Sequence, residues 1–326
     1  MNDSNPPIKL IIQIPCFNEE STLPATIGDF PDKIDGIDII ETLIIDDGST
    51  DRTIEVAKEL GVNHIIHNTN NLGLARSFQK GLDACLDFGA DIIVNTDGDN
   101  QYAGCDIPKL VKPIIDGNAE IVIGDRQTHK IKHFSVFKKF LQKLGSRVVR
   151  QLSGTSVPDV VSGFRAISRD AALRLNIISP YSYTIEMVIQ AGKKNMAITH
   201  VPISTNAKTR ESRLFKSIPN FINQQLSSMI RMYAMYEPLR VFFSIGLMLS
   251  FIGVLPIVRF LYFYFTGDGD GHLQSLVLGG VLLILGFITF MIGLVADLIS
   301  FNRQLTEITL EKVRKIELQQ RADKEN

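Results

Sequence analysis

Ile92-Ile93-Val94-Asn95-Thr96-Asp97-Gly98-Asp99-Asn100-Gln101 carries the chain from an apolar run, read as a buried strand, into a polar loop where two carboxylates flank one residue. Hard oxygens so spaced at the end of a strand suit a divalent cation that must also hold a diphosphate. The same residues are also ordinary turn composition, so the loop has to be weighed with its surroundings. It is not a calcium EF-hand loop, because Tyr102 stands where that loop requires glycine and Pro108 where it requires glutamate.

Working outward, the first 125 residues repeat one pattern of apolar strand, polar loop and helix-like stretch. Strands are expected at Lys9 to Ile14, Ile39 to Ile45, His64 to His67, Asp91 to Asn95 and Glu120 to Gly124, with helices between them ending near Gly61 and Gly89. This alternation predicts an α/β fold with a parallel sheet. Ligands of such sheets bind beyond the carboxyl ends of the strands. There the chain places Pro15-Cys16-Phe17-Asn18-Glu19-Glu20, Asp46-Asp47-Gly48-Ser49-Thr50-Asp51, Asn70-Asn71-Leu72-Gly73 and the Asp97 loop. None of these is a glycine-rich dinucleotide loop, and no G-x-x-x-x-G-K-[ST] phosphate loop occurs.

Within the second loop, Ser49 or Thr50 is expected to cap the helix that carries Ile54 and Val56. One cap does not need three aspartates, and a carboxylate at the rim can accept hydrogen bonds from a nucleobase imide or a ribose. Glu19 and Glu20 also suit the positive end of a helix dipole.

A chain of 326 residues with 45% apolar content can bury a large core, and its formal charge of −1 selects no global electrostatic partner. Cys16, Cys85 and Cys105 have no paired metal spacing and are odd in number, which fits a reducing compartment. Ile8 to Ile14 is too short, and too soon followed by Pro15, for a signal peptide. The amino-terminal domain is therefore expected in the cytosol.

Residues 126–158 hold Arg126, Lys130, Lys132, Lys138, Lys139, Lys143, Arg147 and Arg150 without one acidic residue, interleaved with apolar positions such as Phe134, Phe137 and Phe140. Such a basic amphipathic segment suits a membrane surface or lipid phosphate better than nucleic acid. Val241 to Phe265 is apolar apart from Arg259 and a few hydroxyls, and Leu273 to Leu294 carries no formal charge. At about 1.5 Å rise per residue, each is long enough for a hydrocarbon core of about 30 Å. The connecting Thr266 to His272 has two aspartates and no lysine or arginine, whereas Arg231 and Arg240 precede the first span and Arg303, Lys312, Arg314 and Lys315 follow the second. That asymmetry places both termini in the cytosol. The expected organisation is a catalytic domain over residues 1–212, an interfacial amphipathic helix over 213–238, a transmembrane hairpin over 239–300 with spans at about 241–265 and 273–297, and a cytosolic tail over 301–326.

Pro15 to Glu20, the Asp-Asp-Gly-Ser-Thr-Asp run, Asn71-Leu72-Gly73-Leu74-Ala75 and Asp97-Gly98-Asp99, in this order and spacing, resemble glycosyltransferase family 2 with its GT-A, Rossmann-like fold. Asp159-Val160-Val161-Ser162-Gly163-Phe164-Arg165 narrows the resemblance to the branch of dolichol-phosphate mannose synthase and bacterial undecaprenyl-phosphate glycosyltransferases. The resemblance implies inverting transfer of a hexose from a UDP or GDP sugar to a polyprenyl phosphate. It puts Pro15, Phe17, Asn18, Glu19, Asp46, Asp47, Gly73, Asp97, Gly98 and Asp99 around the nucleotide sugar, with Mg²⁺ or Mn²⁺ on Asp97, Asp99 and Gln101. Arg126, Arg147, Arg165 and Arg213 are candidates for the acceptor phosphate, and Asp99, Arg126, Arg210, Arg213 and Glu186 for catalysis. The stretch Arg210-Glu211-Ser212-Arg213 departs from the family's usual Gly-Glu-Ser-Lys. Two spans further imply a homo-oligomer in the bilayer. A processive polysaccharide synthase would carry Gln-x-x-Arg-Trp, and this chain has no tryptophan; a catalytically silent membrane scaffold is the remaining alternative.

Overall fold

The computed structural model describes residues 6–127, 149–150, 153–178, 183–206, 227, 231, 235–267 and 270–325. The expected strands are present as β1 (Lys9–Cys16), β2 (Ile39–Asp46), β3 (His64–His67), β4 (Ile92–Asn95) and β5 (Ile121–Asp125). Two more, β6 (Arg165–Ser168) and β7 (Ile198–Pro202), complete a seven-stranded sheet ordered β3-β2-β1-β4-β6-β5-β7. All neighbours are parallel except β6, which runs antiparallel to both β4 and β5. The helices of the same region are α1 (Leu23–Gly28), α2 (Thr53–Glu59), α3 (Leu74–Asp87), α4 (Ile107–Ile115), α5 (Arg169–Arg174) and α6 (Tyr183–Lys193).

β1 and β4 are apolar along nearly their whole length because helices cover both faces of the sheet. On α3, Phe78, Leu82 and Cys85 recur at helical spacing and are fully buried, which sets this helix against the sheet. Ile12, Ile14, Ile44, Val94, Leu110, Val111 and Phe164 form the core on the face covered by α4. Gly61 and Gly89, in the left-handed region at φ 74° and 78°, follow α2 and α3 where the chain turns back towards β3 and β4.

The order β3-β2-β1-β4 reverses direction between β1 and β4, which opens a crevice at their carboxyl ends. Because β6 is antiparallel and pairs Arg165 with Asn95, its amino end arrives at that same rim.

The chain divides into two compact units, residues 1–229 with 310–326, and residues 230–309. The second contains α7 (Pro238–Thr266) and the apolar part of α8 (Leu273–Glu325), both long and apolar enough to cross a membrane, with mean hydropathies of 2.4 and 2.6. The two helices meet through small residues: a Cβ on Gly246 would lie 2.8 Å from the Gly286 carbonyl, and one on Gly253 would lie 3.0 Å from the Gly279 carbonyl. The tail expected after the second span is a continuation of α8. Within the first unit, Arg314 of this helix donates to the Leu175 carbonyl at 2.8 Å and pairs with Asp83 at 3.1 Å. Most of the expected helix over 213–238 and most of the basic segment after Gln127 lie outside the described residues.

Candidate active site

The loops after β1 and β2 are stitched together by short hydrogen bonds. The Asn18 N–H donates to Ser49 Oγ at 2.8 Å, the Thr50 N–H donates to Asn18 Oδ1 at 2.8 Å, and the Glu19 N–H donates to Thr53 Oγ1 at 2.8 Å. Asn18 holds φ at 57°, a left-handed conformation that asparagine tolerates better than most side chains. Pro15 and Cys16 close the buried part of β1, and Phe17 lies exposed just beyond it.

Asp46 and Asp47, expected to face the nucleoside, are 0% and 5% exposed. Asp46 accepts from the Ser49 N–H at 3.2 Å and lies 2.7 Å from His67 Nδ1. Asp47 accepts from the N–H groups of Leu72 (2.8 Å) and Gly73 (2.9 Å) and from Asn68 Nδ2 (3.0 Å). Both carboxylates order the loops around them. Helix α2 also differs from expectation: Asp51, not Ser49 or Thr50, accepts from its first turn, through the Thr53 N–H at 3.0 Å.

Asp97, Gly98 and Asp99 follow β4 on this rim. The Gly98 carbonyl lies 2.8 Å from the Thr22 hydroxyl, which is also 2.7 Å from the Glu19 carboxylate, and this anchors the loop to the first motif. Asp99 Oδ1 accepts from the Gln101 N–H at 3.1 Å, and Asn100 turns the chain at φ 55°. Burial, and then the neighbouring Asp99 charge, push the Asp97 carboxyl up to about 7, although Arg126 draws it down. Crowded, mutually repelling carboxylates are the donor set a divalent cation relieves, so the residues present fit such an ion. Among the described residues no group of three or more His, Cys, Asp or Glu surrounds one ion position. A two-carboxylate clamp would leave further coordination positions for diphosphate oxygens.

Arg126, directly after β5, is on the same rim and forms a forked pair with Asp159, Nε to Oδ2 at 2.7 Å and a terminal nitrogen to Oδ1 at 3.0 Å. The next residue, Gln127, has φ 48°. Arg165, expected at the acceptor phosphate, is instead 0% exposed. Its guanidinium donates to the carbonyls of Ser162 (2.7 Å), Thr184 (2.9 Å) and Val160 (2.6 Å), and burial pulls its pKa down to about 10. It acts as a structural cation: these three hydrogen bonds go to the chain's own backbone, and the guanidinium lies 5.9 Å from the centroid of the Tyr183 ring. Glu186, a candidate for catalysis, is likewise 0% exposed within α6, with the Ile178 N–H and Gln190 Nε2 each 3.4 Å from Oε1. The carboxylate is therefore closed off from solvent in this structure. Arg147, Arg210 and Arg213 lie outside the described residues.

Sequence reasoning passed over several residues here. Gln13 and Asn95 are buried partners across β1 and β4 at 2.9 Å, and Asn95 Nδ2 also donates to the Gly163 carbonyl at 2.8 Å. Polar amides interrupting otherwise apolar strands were the available signal. Tyr102, Tyr183 and Asp159 join them only through the fold.

These features coincide with those of known proteins. The chain is 33% identical over 218 residues to the UDP-N-acetylglucosamine–dolichyl-phosphate N-acetylglucosaminyltransferase of Methanococcus voltae, covering 59% of this chain and 83% of that one. It is 27% identical over 207 residues to the undecaprenyl-phosphate mannosyltransferase of Micrococcus luteus, covering 60% and 83%. In fold it resembles glucosyl-3-phosphoglycerate synthase of Mycobacterium tuberculosis, crystallised with Mn²⁺, UDP and phosphoglyceric acid, at a TM-score of 0.54 and 19% identity over 70% of this chain and 78% of that one. The model of glycosyl transferase family 2 matches residues 11–175, from β1 past β6, and thus contains both the Asp97 loop and the Asp159–Arg165 run. With motifs, sheet order and family model in agreement, this chain belongs to glycosyl transferase family 2 and has the GT-A fold.

Proposed function

We propose that this glycosyltransferase moves a hexose from a UDP or GDP sugar to a polyprenyl phosphate at the cytosolic face of a membrane, with inversion at the anomeric carbon. The observation that carries the reading is the convergence of Asp97, Asp99 and Arg126 on one rim in a chain that also has two helices fit to cross a bilayer. The names of the relatives agree with a lipid phosphate acceptor.

An oxygen of the acceptor phosphate attacks the anomeric carbon while the bond from that carbon to the nucleoside diphosphate breaks. A phosphate monoester has its second ionisation near 6, so the nucleophile is already largely charged at neutral pH. No general base is needed, which accords with the burial of Glu186. Asp97 and Asp99, with Gln101 close by, would hold a divalent cation, which would supply positive charge for the departing diphosphate. The β1 and β2 loops around Asn18, and Asp47 acting through Leu72 and Gly73, hold the walls of the nucleoside pocket. Arg126, aimed by Asp159, presents positive charge where the two phosphates meet. Arg147, Arg210 and Arg213 are further candidates for the acceptor and donor phosphates. Homo-oligomerisation in the bilayer and cytosolic termini belong to the same proposal.

The test is transfer of radiolabelled sugar from a panel of UDP and GDP donors to undecaprenyl and dolichyl phosphate, with Mg²⁺, with Mn²⁺ and with EDTA. Metal-dependent label in the organic phase is the expected result, and Asp99→Asn lowers it about 10³-fold. Undiminished transfer by that variant would show that the clamp is not the catalytic centre.

A further inference from the structure

The Asp159–Arg165 run marks the family branch, yet none of its side chains is assigned a contact with substrate. We propose that this run is a positioning platform for the metal clamp, and that Gly163 sets where the Asp97 carboxylate stands. The proposal rests on the reading of Asp97 and Asp99 as cation ligands.

The antiparallel direction of β6 brings the run beneath the end of β4, with Arg165 opposite Asn95. Arg165 then ties the turn together through the carbonyls of Val160 and Ser162, and ties it to the first turn of α6 through that of Thr184. Gly163 is held on both sides of its peptide: its N–H donates to the Tyr102 hydroxyl at 2.8 Å, and its carbonyl accepts from Asn95 Nδ2 at 2.8 Å. Both tyrosines are fixed by stacking, Tyr102 on Phe164 with centroids 5.2 Å apart and Tyr183 on Phe78 at 4.2 Å.

What glycine contributes at 163 is space. Its φ is not among the positive values found at Gly36, Gly48, Gly61, Gly73, Gly89, Gly117, Gly154 and Gly267, so the backbone there does not require glycine. A Cβ at 163 would lie 3.0 Å from both carboxylate oxygens of Asp97 and 3.0 Å from the Tyr183 hydroxyl. The Asp97 carboxylate therefore packs closely against Gly163, and a side chain there requires its neighbours, the Asp97 carboxylate among them, to give by a few tenths of an ångström. Groups that orient a ligand from behind typically tune metal affinity by about 10–100-fold.

Mn²⁺ binding to the full-length protein in detergent, read from the electron paramagnetic resonance signal of free Mn²⁺, tests this without any turnover. Gly163→Ala is expected to weaken Mn²⁺ binding about tenfold or more, with the melting temperature in EDTA unchanged. A general loss of packing would move both readouts. Gly28→Ala, at a helical glycine with nothing within 4 Å of the added carbon, leaves Mn²⁺ binding unchanged and does not lower the melting temperature. If Gly163→Ala does not fold, Tyr102→Phe decides, since it removes the hydroxyl that holds the Gly163 N–H and is expected to weaken Mn²⁺ severalfold. Wild-type affinity in a folded Gly163→Ala or, failing that, Tyr102→Phe protein overturns the platform while leaving the clamp standing. A wild-type protein that binds no Mn²⁺ overturns the clamp, and the platform with it. Mn²⁺ binding without sugar transfer to any lipid phosphate overturns the proposed reaction alone.

Discussion

In the catalytic unit Leu10, Ile12, Ile44, Phe78 and Phe164 are wholly buried, and so are Asp46, Asn95, Arg165 and Glu186. In α7 the buried residues are instead Pro238, Gly246 and Gly253, while Leu247, Phe251 and Tyr262 are 61%, 69% and 65% exposed. Water drives large apolar side chains inward in the first unit, and polar groups can follow only where hydrogen bonds satisfy them. In the second, an apolar exterior carries no such penalty once lipid surrounds it, and the helices approach each other through their smallest residues. The two units are therefore vulnerable to opposite kinds of substitution: the first to loss of a polar partner, the second to gain of a side chain.

The largest expected effect sharpens the first half of that contrast. Arg165→Met conserves much of the volume but leaves the carbonyls of Val160, Ser162 and Thr184 without their donor. A loss of about 3 kcal/mol or more is expected in denaturant unfolding followed by far-ultraviolet circular dichroism. Unchanged stability would mean that apolar packing alone holds this end of the sheet.

Second is the pH dependence of cation binding. Because the Asp97 carboxyl is raised to about 7, the folded protein keeps its proton there between about pH 4 and 7, and a cation has to displace it. Mn²⁺ affinity should rise with pH by up to about tenfold per unit from pH 5 to 7 and level off above. For the same reason this group's contribution to metal-free stability falls as the pH rises through that window. Titration calorimetry in buffers of different ionisation enthalpy measures the proton released; flat affinity across the window would remove Asp97 from the ligand set.

The hairpin supplies the converse test. A Cβ on Gly286 would collide with Ser250 Oγ and lie 2.8 Å from the Gly246 carbonyl, whereas one on Gly280 meets nothing within 4 Å. Gly286→Val should cost about 2 kcal/mol of hairpin stability, read as a lower melting temperature in detergent, and Gly280→Val much less. Equal tolerance of both would break the account of small-residue packing.

The smallest effect concerns the end of α8. Arg314→Ala removes the Leu175 and Asp83 contacts, but Asp83 is itself half-exposed, so about 1 kcal/mol is expected. Exchanging the charges in an Asp83→Arg, Arg314→Asp double variant tests whether the pair, rather than the arginine stem, carries it.

Much of this architecture was readable along the chain. Lys9 to Cys16 and Ile92 to Asn95 are apolar but for Lys9, Gln13 and Asn95, because strands covered on both faces have no polar side to alternate. Gly61 and Gly89 mark helix ends because their conformation excludes most side chains. The two stretches long and apolar enough to cross a membrane were legible from length and scarcity of charge. The carboxylate loop was visible for a similar reason, since its two aspartates are neighbours in sequence. Asp46 and Asp47 were harder: their positions were evident, but not that the Ser49, Leu72 and Gly73 amides would engage them.

Arg165 shows the boundary most clearly. As a residue type it suits a phosphate, and a four-residue strand beginning with arginine offers no periodicity to argue otherwise. The sequence alone determined the alternating α/β order, the clustering of acidic loops at strand ends, the two apolar spans and the family. Only the tertiary structure decided that β6 runs antiparallel, that Arg165 is buried by it, and that Gly163 lies against Asp97 across 65 intervening positions. Local signals persist in the sequence because neighbouring residues set backbone preference and surface, whereas strand direction and such close approach depend on which distant groups satisfy one another once water is excluded.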